Sequence, residues 1–493
     1  RQKKTEQKPA DSQEPEQDKK TEKTEKTSDQ VIEYGQYDPE AQQEATKLVA
    51  KQETQEKKAA EEKTYGDTNA PTTLSEKAQA TARNVVSIIN NFTTPLKVIL
   101  RDLKVDAGDT NKSAVTVSGS GNVTLELDGK NELTGGTGLK NYDIDRAGAG
   151  LRAEGKGTTT IEDKDGNGSL VATGGTLTVS DTMGKSTYAA SGRGIDGAEI
   201  AGGNVIGKGG DIISDVSDSG GKFFGAGTGI LTKKISGGIV EAIGGDVTGI
   251  DSKDGMIIVT AGQGLGGDGY ANAYSGPIEI SGGTVKATGG NVLIDRGLEE
   301  PYDGADGVHT ANEVRVSGGM LIAQGGNTKD GDGGSGIGDA TISGGTVVAV
   351  GGTGSETGGD GFGQYAKVKV TGGKVTAEGG NYGAGIGSGG GSYDGGDHIT
   401  ITGGTVTAAG GEWGAGIGGG YSGSGENITI NSGTVTAAGG SYGAGIGGGY
   451  GGVGDHITIG GGAVTAEGGE NGAGIGGGYS GVGDHITITG GKV

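Results

Sequence analysis

Aromatic side chains are rare in this chain, at 4% of 493 residues, yet near its C-terminal end they recur at a fixed spacing. They fall into two columns, formed by Tyr382, Trp413 and Tyr442 and by Tyr421, Tyr450 and Tyr479. Exposed aromatic faces suit sugar rings, because a sugar presents apolar C–H faces between polar edges. The columns therefore predict a glycan-binding surface. The alternative is that rings in adjacent loops stack on each other and order the Gly-rich turns.

A further column combines carboxylates with imidazoles. It consists of four acidic residues, each followed by histidine or asparagine: Asp397-His398, Glu426-Asn427, Asp455-His456 and Asp484-His485. Carboxylates stacked at the ~4.8 Å spacing of neighbouring strands repel one another unless they splay into solvent or share a cation. Asp397, Asp455 and Asp484 are therefore candidate metal ligands. Solvated corner residues that begin a strand are the alternative.

The segment Asp163-Lys-Asp-Gly-Asn-Gly168 has the alternating oxygen ligands of a calcium loop, with glycine for the tight turn. Asp163, Asp165 and Asn167 would supply the ligands, and calcium is the one cofactor that the sequence suggests. The bidentate glutamate of such a loop is missing, because Gly174 stands at its position. An Asp- and Gly-rich turn between two strands is the competing interpretation.

The sequence indicates no catalytic residue. Arginines are sparse and do not stand beside carboxylates in a recognisable motif. An active site is a unique constellation, whereas the columns above are serial, so we expect a protein that is not an enzyme. A β-helical polysaccharide lyase or hydrolase is the alternative, because paired carboxylates cannot be picked out among 62 acidic residues.

The columns follow a period of 29 residues, which Val406, Val435 and Val464 illustrate. Such a period indicates that each repeat is one turn of a stacked array. Apolar and polar residues alternate within a repeat, which predicts short strands joined by Gly-Gly corners. Three such strands would form one coil of a parallel β-helix, with these residues facing inward: Ile399, Ile401, Val406, Ala408 and Ile417. Each large aliphatic residue so buried contributes roughly 1.5–3 kcal/mol.

The chain is expected to divide into four segments. Residues 1–37 are almost wholly polar and charged, which predicts a disordered charged tether. Residues 38–72 begin with Asp-Pro and favour a helical spacer. In residues 73–94, Thr73 and Glu76 form a capping box, which predicts a helix that covers the first coil. The alternative is that Val85–Ile89 is itself an entry strand.

Residues 95–493 are predicted to form the β-helix, with about ten or more coils. The last repeat is incomplete at Val493, so we expect the array to be truncated at the C-terminus. The predicted fold class is all-β: a parallel β-helix, or solenoid, with a short N-terminal capping helix and a disordered or helical tether.

The composition excludes several classes of protein. Glycine supplies 116 residues without a strict Gly-X-Y triplet, which excludes collagen. The net charge of −22 argues against nucleic acid and acidic lipid surfaces as partners. The chain lacks a run of 18 apolar residues, so membrane insertion is not expected. It has 0 cysteines, which excludes disulfides and thiolate metal sites and is more typical of a secreted bacterial protein than of an animal one.

Four motifs carry a family resemblance. They are Asn122-Val-Thr-Leu-Glu-Leu-Asp-Gly-Lys-Asn-Glu-Leu-Thr-Gly-Gly136, Ala147-Gly-Ala-Gly-Leu151, Gly168-Ser-Leu-Val-Ala-Thr-Gly-Gly175 and the later Gly-Ala-Gly-Ile-Gly units. With them, residues 95–493 resemble β-helical surface proteins of Gram-positive gut and oral bacteria, of the carbohydrate-binding-domain or adhesin type. The resemblance implies secretion and attachment to the cell surface or cell wall. It carries over no catalytic residue.

Together these features predict a non-catalytic, adhesin-like protein, monomeric and displayed on the bacterial surface. Its expected partner is a polysaccharide or a host or matrix glycan, bound weakly at serial sites and strengthened by avidity. A structural spacer that displays another domain is a further alternative.

Overall fold

The computed structural model describes residues 72–75, 85–137, 144–180, 188–215, 222–250, 257–267, 276–293, 303–363, 367–388 and 398–493. These residues lie in one compact unit, Tyr37–Val493, and their regular elements are all β-strands. The predictions for residues 1–37 and for the spacer at 38–71 fall outside the described residues. Within the described part, no helix has the length and apolar character needed to cross a membrane.

Each coil contributes two segments to one parallel sheet, which we call the main sheet. Its register places like residues side by side, as in Val406 against Val435 and Val435 against Val464. Alternation of β-branched and polar residues puts one face of each strand inside. The strands are Thr72–Ser75, Leu96–Arg101, Lys104–Asp106, Val123–Thr134, Thr159–Glu162, Gly168–Thr173, Glu199–Ile200, Asn204–Lys208, Lys234–Ile235, Ile239–Ile243, Ile278–Ile280, Thr284–Thr288, Val314–Val316, Met320–Gln324, Ala340–Ile342, Thr346–Val350, Lys367–Val370, Lys374–Glu378, His398–Ala409, Ile428–Ala438, Thr458–Ile459, Ala463–Glu467 and Thr487–Ile488.

A second parallel sheet is built from the Gly-rich corners. Its strands are Val86–Asn90, Val115–Gly119, Leu151–Ala153, Ile195–Asp196, Ile230–Leu231, Leu265–Gly266, Val308–His309, Ile386–Ser388, Ile417–Gly419, Ile446–Gly447 and Ile475–Gly476. Ile337 and Phe362 continue the ladder between Val308–His309 and Ile386–Ser388 as single bridges. Gly425–Glu426 and Gly454–Asp455 form a short additional pair.

The core lies between the main and second sheets, as the periodicity predicts. The five residues predicted to face inward, Ile399, Ile401, Val406, Ala408 and Ile417, are at most 1% exposed. They belong to one continuous cluster that runs from Ile88 to Val464. The parallel β-helix is therefore confirmed.

Two lateral sheets extend the coils between residues 144 and 260, which the sequence did not predict. Their strands are Leu177–Ser180, Ile212–Asp215 and Val247–Ile250 in one sheet and Ile144–Arg146, Tyr188–Ala190, Lys222–Gly225 and Ile257–Thr260 in the other. A second, smaller core lies here and includes Leu177, Phe224 and Val259. The early coils between residues 144 and 260 thus contain strands beyond those of the main and second sheets.

The predicted capping helix over residues 73–94 is wrong where the structure describes that segment. Thr72–Ser75 is a strand that pairs with the strand Leu96–Arg101, and Val86–Asn90 is a strand of the second sheet. The alternative of an entry strand at this position is correct. Ile88 points into the core at 6% exposed while Ile89 is 61% exposed, the period-two pattern of a strand.

Candidate functional site

The first aromatic column forms a continuous stack. The ring centroids of Tyr382 and Trp413 lie 5.9 Å apart with planes 15° from parallel, and those of Trp413 and Tyr442 lie 4.2 Å apart at 13°. Strand register one coil apart places these side chains above one another. Tyrosine rings therefore stack on both sides of Trp413.

The rings of the second aromatic column stack in the same way and pack against the rings of the first. Tyr450 lies 5.4 Å from Tyr421 and 5.3 Å from Tyr479, with planes within 18° of parallel. Its ring meets Trp413 edge to face at 4.9 Å, and its backbone N–H donates to the carbonyl oxygen of Trp413 at 2.8 Å. The two columns thus form one aromatic ladder.

Stacking occupies the ring faces that a sugar would need. Tyr382, Trp413 and Tyr442 are half-buried, and Tyr479 is the most exposed ring of the ladder at 42%. The geometry supports the interpretation that these rings order the Gly-rich turns. Glycan binding by the ladder stays a prediction, confined to ring edges and to the outer faces of the rings that end the two stacks: Tyr382, Tyr442, Tyr421 and Tyr479.

Carboxylates and imidazoles of the predicted metal column meet near the C-terminal end. The two oxygens of Asp455 lie 2.8 Å from Nδ1 of His456 and 3.0 Å from Nδ1 of His485. An oxygen of Asp484 lies 3.5 Å from Nδ1 of His485. Partial desolvation of Asp455 favours its neutral form, but hydrogen bonds from His485 and His456 outweigh this and lower the pKa of Asp455. Asp397, the third candidate, lies outside the described residues.

The calcium-like loop is held by its own hydrogen bonds. The two oxygens of Asp163 accept the backbone N–H groups of Gly166 at 2.8 Å and Gly168 at 3.0 Å. The side-chain amide of Asn167 donates to Asp165 at 3.0 Å. Burial raises the pKa of Asp163 to about 6; the bond from Gly168 opposes this and the neighbouring Asp165 adds to it. This is the bonding of an Asp-rich turn.

The missing calcium ligand cannot be restored by substitution. A Cβ at Gly174 would lie 1.9 Å from the carbonyl oxygen of Gly192, so only glycine fits. Glu126 approaches the loop from the preceding coil, and its carboxylate is close to Asp163 and Asp165.

Lys97 lies 3.0 Å from the Glu126 carboxylate and already neutralises charge there. Calcium binding by Asp163, Asp165 and Asn167 stays a prediction, while the described contacts account for the loop as a turn.

A polar cleft of about 530 Å³ opens beside the middle coils. Its ionisable and amide lining includes Gln263, Asp303, Asp306, His309, Asp332 and Asp360. The coils shorten at this point: 43 residues separate Leu265 from Val308 in the second sheet, but only 25 separate Ile337 from Phe362. The cleft therefore lies at a step in coil size.

One column of the second sheet changes character at the cleft. Most corners read Gly-x-Gly-apolar, with Ala305 in place of the first glycine before Asp306. The second glycine donates its N–H to the carbonyl of x in the next coil, as Gly307 does to Ser335 at 2.9 Å. On either side of the middle coils x is a buried alanine, at Ala149, Ala384, Ala415 and Ala444, and an earlier coil has Ser113 at this position. In the middle coils x is polar, and we call these residues the polar column: Arg193, Thr228, Gln263, Asp306, Ser335 and Asp360.

The fold does not require the polar column, since alanine serves at the same position elsewhere in the stack. Burying polar groups costs free energy unless each is hydrogen-bonded. Asp360 is 1% exposed and accepts the backbone N–H of Ala384 at 2.7 Å. In the described part of the chain, Oε1 of Gln263 is buried without a hydrogen-bond donor and lies at the cleft. Such an acceptor is suited to a ligand's hydroxyl or amine.

Asp306 and His309 form a hydrogen-bonded pair in the cleft. Oδ2 of Asp306 lies 2.8 Å from Nδ1 of His309, and Oδ1 accepts the backbone N–H of Ser335 at 2.8 Å. The bond to Asp306 raises the pKa of His309 although burial opposes it, and the charge of Asp339 adds to the increase. The carboxylate is thus held on both oxygens and fixes the imidazole.

Asp303 and Asp332 lie in successive coils on the wall of the cleft. Oδ1 of Asp303 accepts the backbone N–H of Asp332 at 3.2 Å. The surrounding walls desolvate the Asp303 carboxyl and raise its pKa; the bond from Asp332 opposes this, and the charges of Asp332, Glu356 and Asp306 add to it. Asp303 therefore holds a proton at higher pH than an ordinary aspartate.

The C-terminal repeats, in which the 29-residue period is clearest, do not indicate the cleft. The signal is present in the corners, where x changes from alanine to charged, amide or hydroxyl residues between 193 and 360.

Comparison with known families identifies repeats of this architecture. A family model described as Beta helix repeat matches residues 278–292, 368–390, 399–421, 428–450 and 457–479. The chain therefore carries beta-helix repeats. Searches of curated proteins and of solved structures found no match.

Proposed function

We propose that this β-helix repeat protein is a non-catalytic polysaccharide-binding protein and that the polar cleft holds the glycan. The observation that carries the proposal is the polar column. In the middle coils it replaces the buried alanine of the C-terminal coils, and four members of the column line the cleft: Gln263, Asp306, Ser335 and Asp360. Sugar hydroxyls both donate and accept hydrogen bonds, and the carboxylates, amide and hydroxyls of this lining suit them. A volume of about 530 Å³ lies within the ~300–1,000 Å³ range of small-ligand sites.

The charge of the cleft limits the class of glycan that the cleft can bind. Among the described lining residues, the charged groups are Asp303, Asp306, Asp332, Asp339 and Asp360, with His309 as the only basic side chain. A uronate or sulfate would be repelled by these carboxylates. Neutral sugars and amino sugars are the glycans that this lining favours.

A glycan array tests the proposal, with Asp306→Ala as the diagnostic variant. That change installs the residue that Ala149, Ala415 and Ala444 already provide at the equivalent position, so the coil should fold. We expect wild type to bind neutral or amino-sugar glycans and Asp306→Ala to lose at least about tenfold in affinity, since a lost charged hydrogen bond is worth ~1.5–3 kcal/mol.

Glu412→Gln serves as the matched control, because it removes an exposed carboxylate outside the cleft. The control should bind as wild type does. Binding that survives Asp306→Ala, or an array with no neutral or amino-sugar ligand, would rule out the cleft as the site.

We also propose that the protein is a monomer that lies outside the cell and is displayed on a bacterial surface. This location is supported by the resemblance of residues 95–493 to bacterial surface proteins and by the lack of cysteine in the chain. Antibody labelling of intact producing cells should detect the protein before permeabilisation. Signal only after permeabilisation would contradict this location.

A glycoside hydrolase is the second candidate, favoured by the raised pKa of Asp303 among further carboxylates. Hydrolysis of a glycosidic bond needs one protonated acid and one ionised carboxylate. Release of reducing ends from a neutral polysaccharide, abolished by Asp303→Asn, would establish this activity and displace the non-catalytic proposal. A lyase is disfavoured, because the described lining lacks a lysine or arginine to neutralise a uronate.

A further inference from the structure

Three donor groups converge at the last step of the acidic and imidazole column, far along the chain from the cleft. One donor atom from each of Asp455, His456 and His485 lies within 4.8 Å of the other two. The imidazole rings are stacked with centroids 4.8 Å apart and planes 17° from parallel. Both Nδ1 atoms face the same carboxylate, at 2.8 Å and 3.0 Å. The fold brings the three side chains together from two neighbouring coils.

The spacing of these atoms suits a small metal ion. In a tetrahedral site with metal–ligand bonds of about 2.0–2.1 Å, ligand atoms lie about 3.3 Å apart. The two nitrogen-to-oxygen distances at Asp455 are slightly shorter than this, and both imidazoles are more than half exposed, so small side-chain rotations suffice. Asp484 Oδ1, 3.5 Å from Nδ1 of His485, or a water can complete the coordination.

The donor types select the class of metal. Calcium and magnesium take oxygen ligands, so a site with two imidazoles does not suit them. Imidazole nitrogen with one carboxylate suits zinc, copper and nickel. The nearest carboxylates, on Asp455 and Asp484, supply the negative charge that a divalent cation requires.

The neighbouring step of the same column provides an internal comparison. Asn427 occupies the position one coil before His456, with φ of 55° against 50° for His456 and 45° for His485. The φ angle is therefore similar and left-handed at all three positions, and asparagine is accommodated there. In the described residues, two imidazoles of this column are adjacent only at His456 and His485.

We propose that Asp455, His456 and His485 form a binding site for one divalent transition-metal ion of the zinc, copper or nickel type. The site is independent of the polar cleft and of the glycan. Nothing in the packing of the coil depends on the metal, since Asn427 keeps the same coil geometry without an imidazole.

Isothermal titration of the full chain with Zn²⁺, free of any polyhistidine tag, tests the proposal. We expect one ion per chain, with little or no heat from Ca²⁺ at the same concentration. His456→Asn and His485→Asn each copy the residue at Asn427 and should weaken Zn²⁺ binding about tenfold or more, since even outer-shell changes cost ~10–100-fold. Asp455→Asn should weaken it similarly.

His398→Asn is the matched control, because His398 lies in the same column two coils earlier. It should bind Zn²⁺ as wild type does. The proposal is overturned if wild type takes up no ion, or if His456→Asn and His485→Asn, folded by circular dichroism, bind it unchanged. Equal loss in the control would also overturn it, because the ion would then be bound elsewhere in the column.

Discussion

At the scale of single residues, the Asp306–His309 pair gives the sharpest electrostatic prediction. The pKa of His309 is raised above its ordinary value by the bond to Asp306. Asp306→Asn should lower that pKa, which nuclear magnetic resonance titration of the four histidines can follow directly. Unchanged titration of His309 in the variant would contradict the pairing.

The same pair makes stability depend on pH in a defined direction. The folded pKa of His309 lies above its unfolded value of about 6.5. Its contribution is therefore fully present below the unfolded pKa and is lost as pH rises through the folded pKa. The difference in unfolding free energy between wild type and Asp306→Asn should shrink across that window. A difference that grows with pH would contradict this sign.

The aromatic ladder predicts a structural role for Trp413. Its ring contacts Tyr382, Tyr421, Tyr442 and Tyr450, so Trp413→Ala should destabilise the C-terminal coils by about 2–4 kcal/mol. Faster hydrogen exchange in residues 398–479 would measure this, and Trp413→Phe should recover most of the protection. Normal exchange together with lost glycan binding would instead favour a ligand-binding ladder.

At the residue scale, the core residues could be predicted from the sequence, but the residues of the cleft could not. Ile401 and Val406 were placed inside because their alternation with threonine leaves no other arrangement. Asp306 and Asp360 belong to a column that is alanine in the C-terminal coils, and neither carries a local motif of its own. The lengths of the coils determine which carboxylates lie close together, and these lengths vary most in the middle of the chain.

At the scale of elements, the Gly-rich corners determine whether coils can stack. Gly418 has φ of +130°, and a Cβ there would lie 2.0 Å from the carbonyl oxygen of Gly447. Gly418→Ala should therefore cost roughly 2–4 kcal/mol, because strain and a backbone clash act together. Chemical denaturation checks this.

Gly338→Ala is the control for this prediction, since a Cβ there meets no atom within 4 Å and its φ is not left-handed. It should change the unfolding free energy by less than about 1 kcal/mol. Equal destabilisation by the two substitutions would contradict the role assigned to the corner.

Two features of the fold differ from the favoured prediction, for different physical reasons. The apolar run around Val86 and Ile88 fits a helix face or a strand equally well over so few residues, and pairing with Val115–Gly119 decides for the strand. The lateral sheets arise from insertions whose strands gain stability only by stacking on one another in successive coils. Their pattern is weak in any single repeat.

At the scale of the whole molecule, the proposed glycan binding depends on a local departure from the regular repeat. The terminal coils bury alanine at the Gly-x-Gly corners, while the middle coils place polar side chains there beside a step in coil size. The negative charge of −22 adds to the acidic character of the cleft and disfavours anionic glycans. The C-terminal repeats, in which the period is clearest, serve mainly as the ordered stack.

Hydrogen–deuterium exchange with a bound neutral or amino-sugar oligosaccharide tests the central claim most directly, because it reports where the ligand lies. We expect slower exchange in peptides that cover residues 303–312, 332–339 and 357–363, which contain most of the lining of the cleft. Protection confined to residues 398–479, around the aromatic ladder, would contradict it.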